Sequence, residues 1–158
     1  LIKHEVDLAL GVVVPDTDEI TAITDCRWED CFHVVAGRDH PLQHKRKLQL
    51  VDVMDQRWTT SPRGTAPYVH MEQVFAANGL GLPDVMVETR SIIVLKSLVV
   101  RSGFLSWMPD PMFDSERQAG LMSALPIPGA SGTRTLTAFR RRAGILPAPA
   151  VKLLGAEA

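Results

Sequence analysis

Cysteine is nearly missing from this chain: its 158 residues hold two, Cys26 and Cys31. Two thiols make no disulfide framework and point to a reducing, cytoplasmic compartment. A metal site would have to recruit Cys26, Cys31 and His33, but that set lacks both close paired spacing and a fourth ligand. The thiols are therefore expected as small apolar fillers in or beside strands, and no metal is expected. An excess of one charge sign is also missing. The formal net charge is −1, which gives no overall attraction to nucleic acid or to an anionic membrane. The apolar runs are a few residues long, far short of the roughly 20 that a membrane-spanning helix needs. No G-x-S-x-G, H-E-x-x-H, Walker loop or dinucleotide fingerprint occurs, and Gly79 and Gly81 precede a strand rather than follow one. The five histidines, His4, His33, His40, His44 and His70, share no motif spacing. Neither catalytic residues nor a cofactor are expected, and His70 is expected on a solvated helix face. Basic clusters at 44–47 and 140–142 are short and poor in aromatics, so they predict solvated charge rather than a nucleic-acid surface. No signal peptide is visible. The chain begins Leu1-Ile2 without an initiator Met and is expected to be a fragment of a larger protein.

What remains is the composition of a globular domain, 46% hydrophobic and 22% charged. Residues 1–4 resemble the tail of a helix. A strand is expected at 6–10, closed by Gly11. Strands at 20–24 and 31–36 follow, separated by the polar stretch 25–30. A turn-rich charged segment, 37–47, is a natural place for the chain to leave one lobe and enter another. The middle of the chain is the most regular. It runs strand 57–60, loop 61–64, helix 67–78 stopped by Gly79, strand 85–89, helix 92–102 capped by Ser91 and ended by Gly103, and strand 104–108, stopped by Pro109 and Pro111. Strands at 121–127 and 135–141 and a short helix at 148–154 complete the chain. Strands joined by crossover helices are parallel. Loops 60–65, 89–91 and 108–110 should therefore meet at one sheet edge, where open α/β sheets place their ligands.

The segments VDLALG (6–11), VVAGRDHPL (34–42), the W-x-x-x-P-x-G-T run 58–65, VETRS (87–91), LVVRSGFLSWMP (98–109) and the closing RRRAGILPAPAVKLL occur in an order that resembles LysR-type transcriptional regulators. The resemblance covers nearly the whole chain. It implies an α/β, type 2 periplasmic-binding-protein-like fold of two Rossmann-like lobes joined by two crossing segments. The first lobe would comprise 1–41 and 108–158, with its opening strand and helix missing. The second would comprise 42–107. A winged helix-turn-helix would precede the chain. The hinge would be Asp39, His40 and Pro41 with Met108 and Pro109. Trp107 and Met108 are expected as core or hinge packing. The implied function is effector sensing and dimerisation in a cytoplasmic regulator, with a small-molecule effector in the cleft. The partners would be a second copy, or a higher homo-oligomer, and promoter DNA through the winged helix-turn-helix; no membrane is expected. An extracytoplasmic solute-binding protein of the same fold is the alternative.

Topology and resemblance together select the candidate effector contacts. Ser91 opens a helix whose first N–H groups and positive dipole end attract anions; it also serves as the helix cap, and the two roles are compatible. Thr60, Ser61, Arg63 and Thr65 supply hydroxyls and a guanidinium beside Gly64, although the same loop could simply be solvated, with Thr65 capping the next helix. Thr89 shares the second turn. Gly11 and Val12 are implied by family position, and ordinary strand-end packing is their alternative. The effector expected from this set is a small anionic organic molecule, with Arg63 as an optional clamp.

Overall fold

The computed structural model describes residues 5–12 and 17–155; the expected helix tail at 1–4 lies outside them. The chain divides into two compact units, one holding the residues up to Asp30 and from Arg134 onward, the other holding Cys31–Thr133. The sequence expectation places its lobe division elsewhere, at 41/42 and 107/108.

In the first unit, strand β1 (Leu8–Val12) pairs antiparallel with β7 (Ser131–Arg141), Leu10 opposite Ala138 and Val12 opposite Leu136. Gly11 does not close its strand as expected: it lies inside β1, opposite Thr137. Strand β2 runs without a break over Ile20–Gly37, where two strands are expected from sequence. The polar stretch 25–30 is a strand face, not a loop. Asp25, Arg27 and Glu29 are exposed while Cys26, Trp28 and Asp30 are not, the two-residue alternation of a half-solvated strand. Arg134 grips Asp30 with both arms of its guanidinium, at 2.8 and 2.7 Å, which gives planar, directional pairing. Helix α4 (Ala148–Gly155) follows Pro147.

The second unit is built on a parallel pair, β3 (Trp58–Thr60) and β4 (Val85–Glu88). Leu105 extends it on the other side of β3: its amide donates to the Arg57 carbonyl at 2.8 Å, and its carbonyl accepts from Thr59 at 3.0 Å. The parallel register stops there. Strand β5 (Ser106–Pro109) pairs antiparallel with the end of β2, Val35 opposite Ser106 and Phe32 opposite Pro109. The expected single parallel sheet of three strands is thus a parallel pair plus one residue of the third run. Strand β6 (Met122–Ala124) also pairs with β2.

Helix α1 (Ala66–Ala77) buries Tyr68, Met71 and Phe75, with Phe75 edge-on to the Trp58 indole at 5.8 Å between ring centroids. Helix α2 (Ile92–Ser102) buries Leu95 and Val99 and ends at Gly103, whose φ of 64° suits a residue without Cβ. His70 is not on a solvated face, as expected from sequence, but half-buried. It lies edge-on to Phe32 at 4.9 Å, and its Nδ1 accepts from the Trp107 indole N–H at 3.4 Å.

Sequence reasoning missed helix α3 (Asp110–Gln118) because Pro109 and Pro111 look like breakers. Pro111 stands in the first turn, where a missing N–H costs nothing. Phe113 from α3 is fully buried with Val35, Leu95, Val99, Met108 and Met122. Lys96 of α2 meets Glu116 at 2.7 Å and holds its carboxyl below the usual carboxylate range. Replacing Phe113 by Ala removes the side chain that fastens α3. Urea unfolding should show a loss of about 3–5 kcal/mol, whereas a change below about 1 kcal/mol would mean that α3 is not packed as described.

Candidate functional site

In the second unit the two predicted loops begin side by side. Thr60 and Glu88 are register partners at the ends of β3 and β4, and the Thr89 amide extends the ladder by donating to the Thr60 carbonyl at 3.0 Å. Loop 61–65 and turn 89–91 therefore leave the same sheet edge, each running into a helix.

The polar groups of the two loops differ in what they have to offer. The Thr60 hydroxyl donates to the Ser61 carbonyl at 3.0 Å and the Thr65 hydroxyl to the Pro62 carbonyl at 2.6 Å. Thr65 occupies the N-cap position of α1 without a side-chain cap. Ser61 makes no side-chain hydrogen bond among the described residues. The Arg63 side chain, although exposed, is engaged: its Nε donates to Glu88 at 3.0 Å, and its backbone amide donates to the same carboxylate at 3.2 Å. Glu88 raises the Arg63 pKa above its ordinary value. Glu88 was not singled out from the sequence, although an acid at the end of a strand that precedes a candidate binding turn could have drawn attention.

The 89–91 turn is tied internally. The Ser91 amide donates to the Thr89 hydroxyl at 3.1 Å, and the Ser91 hydroxyl accepts from the Val94 amide at 3.4 Å. Val94 is thereby capped, leaving the amides of Ile92 and Ile93 without partners among the described residues. Their side chains are exposed. Helix α1 offers less, because Pro67 in its first turn has no N–H. The positive end of α2 is thus the stronger anion attractor of the two.

The other candidates lie elsewhere. Gly11 and Val12 belong to the first unit, inside β1. Asp110, expected beside these loops, instead meets His33 at 3.2 Å. The expected hinge residues all fall in the second unit. Met108 and Pro109 are paired with His33 and Phe32, Asp39 is exposed, and Pro41 opens a 3-10 turn, Pro41–His44. His40 is buried and caps that turn, its Nδ1 accepting from the Leu42 amide at 3.2 Å. Burial, and then the Arg57 charge, push the His40 pKa down. Among the described residues no group of three or more His, Cys, Asp or Glu side chains is placed to hold a metal, and no helix is long and apolar enough to cross a membrane.

Two outcomes follow from these caps. Ser91→Ala should cost about 1 kcal/mol in urea unfolding while Ser91→Asp, which can still cap, costs little; equal losses would show that the cap does not hold α2. For His40 the folded-state pKa lies below the ordinary 6.5. The unfolded chain therefore binds the proton first as the pH falls. Stability from the neutral imidazole is present above about 6.5 and is lost below it, down to the folded-state pKa. Wild type should lose more stability between neutral and mildly acidic pH than His40→Asn, which can still cap through its side-chain oxygen. Parallel pH profiles would contradict this.

The chain matches the LysR substrate binding domain family over residues 1–156. It is 30% identical over 150 residues to the HTH-type transcriptional regulator GalR of Pseudomonas putida, an alignment covering 95% of this chain and 37% of that protein. It is 28% identical over 122 residues to the HTH-type transcriptional regulator CysB of Burkholderia cenocepacia, covering 77% and 38%. The chain thus spans well under half the length of these curated relatives. Among solved structures it shares its fold with the CcmR regulatory domain of Synechocystis in complex with 2-PG, with a TM-score of 0.77, 17% identity, and 98% of this chain and 73% of that one covered. The chain belongs to the LysR substrate-binding domain family, the effector-sensing part of LysR-type transcriptional regulators, with their type 2 periplasmic-binding-protein-like fold.

Proposed function

We propose that this chain senses a small anionic organic effector at the sheet edge shared by loop 61–65 and turn 89–91. The observation that carries this reading is the pair of unpartnered amides, Ile92 and Ile93, at the start of α2, which follows the same sheet edge that the Ser61 loop leaves. Backbone donors at a helix N-terminus suit a carboxylate or phosphate. Ser61 and the amides bind the anion; Thr60, Thr65, Thr89 and Ser91 hold the two loops in shape. Arg63 becomes a clamp only by leaving Glu88. Gly11 and Val12 on the first unit stand as effector contacts by family position. The solved complex of CcmR with 2-PG, a small molecule bound to a domain of the same fold, supports the class of function. The alternative of an extracytoplasmic solute-binding protein draws no support from the relatives, which are HTH-type regulators.

The lobe division at 41/42 and 107/108 fits this reading. Residues 32–35 and 106–109 run side by side as paired strands, so the two expected crossing segments, with Asp39, His40, Pro41, Met108 and Pro109, are neighbours in one ladder or just beyond it. In the full-length regulator, a cytoplasmic homodimer or higher homo-oligomer, effector occupancy would shift how winged helix-turn-helix domains sit on promoter DNA. Only a difference in effector affinity between two states can produce that shift.

The test is calorimetric titration of the full-length protein with a panel of aliphatic mono- and dicarboxylates and phosphate esters. An anion that binds wild type should bind Ser91→Glu about tenfold more weakly or worse, because the new carboxylate puts like charge at the site. Equal affinity would show that Ser91 does not face the effector.

A further inference from the structure

The opposite edge of the same β3–α2 layer holds a cavity of about 530 Å³, within the roughly 300–1,000 Å³ of small-molecule sites. It lies at the start of β3 and the end of α2, and none of its lining residues belongs to 60–65 or 89–91. One wall is a tight backbone contact: a Cβ on Gly37 would come within 2.6 Å of the Val99 carbonyl, so α2 ends close against the β2 strand end. Beside it lies His40, 5% exposed. With Nδ1 accepting from the Leu42 amide, the neutral ring carries its proton on Nε2. That N–H has no partner among the described residues; the buried side-chain atoms left without one are Thr59 Oγ1 and Ser106 Oγ, so the Nε2 edge of His40 keeps access to solvent. The adjacent Arg57 guanidinium sits 5.0 Å over the Phe104 ring and donates one N–H to the Ser102 carbonyl. Most of its five donors are uncommitted. Arg101 adds a second guanidinium from the last turn of α2, while Asp39 and Asp55, both exposed, add two carboxylates.

We propose that this cavity is a second ligand site, separate from the effector edge, that takes a small zwitterion of the α-amino-acid class. His40 is the buried donor of the lining, and the exposed Arg57 guanidinium is near enough for its charge to act on the ring, so the carboxylate goes to His40 Nε2–H and Arg57. The exposed carboxylates Asp39 and Asp55, together with the negative end of the α2 dipole, receive the ammonium. The lining carries both signs, the guanidinium groups of Arg57 and Arg101 and the carboxylates of Asp39 and Asp55, of which Asp39 also meets Arg38 at 3.5 Å, so a ligand with both charges meets an opposite charge at each end. A simple anion would face the two acids, and a simple amine would face the two guanidinium groups.

The test is calorimetric titration of the full-length protein with the twenty standard L-amino acids, each at up to about millimolar concentration. At least one should bind. For that compound, both the N-acetylated acid and the decarboxylated amine should bind about tenfold more weakly or worse. His40→Asn, which keeps the cap but loses the Nε2–H edge, and Asp55→Asn at the exposed rim should each weaken it by a similar factor, with the far-ultraviolet circular dichroism unchanged. Ser91→Glu should leave it unchanged, which separates this site from the effector edge. No binding by any of the twenty, undiminished binding of the N-acetylated acid, or undiminished binding by both His40→Asn and Asp55→Asn would overturn the proposal.

Discussion

One backbone hydrogen bond organises the end of the second unit where the effector edge is proposed. The Thr89 amide reaches the Thr60 carbonyl because β3 and β4 are parallel and in register to their last residues. Parallel pairing sends both chain segments out of the sheet in the same direction. Two stretches separated by a helix, a loop and a strand therefore begin beside each other. Glu88 then fastens the first loop to the second strand through Arg63. Without that register the hydroxyl of Ser61 and the amides of α2 would be unrelated features of distant segments.

Helix α2 carries this order through the second unit. Eleven residues at about 1.5 Å rise each make a rod of about 16 Å. Its capped N-terminus stands at the proposed effector edge, and its last turn rests on Gly37. Leu95 and Val99 pin its middle, and the Lys96–Glu116 pair ties it to α3. A close-packed interior moves such a rod as a unit rather than deforming it, so its two ends are mechanically linked.

Much of this was legible in the sequence because it depends on local signals. Helix α2 was bounded correctly by a Ser cap and a stopping Gly, two residues with defined backbone preferences. The two loops were brought together by the alternation of strand and helix alone. What escaped depends on partners distant in the chain. The polar run 25–30 looked like a loop because sequence does not show that one strand face is solvated. Pro111 looked like a terminator because a breaker inside a helix and a starter in its first turn are the same residue. The parallel third strand failed after Leu105, where the end of β2 competes for the same backbone groups. The engagement of Arg63 by Glu88, and of His70 by Phe32 and Trp107, are contacts of tertiary origin with no local signature.

The central claim is that the start of α2 and loop 61–65 form the anion-binding edge. Hydrogen–deuterium exchange of the full-length protein, with and without the tightest-binding anion of the carboxylate and phosphate-ester panel, tests it most directly. The account predicts slowed exchange in peptides covering 61–65 and 89–94, with the Ile92 and Ile93 amides among the protected positions. Protection confined to other segments, with those amides exchanging at their unliganded rate, would contradict it.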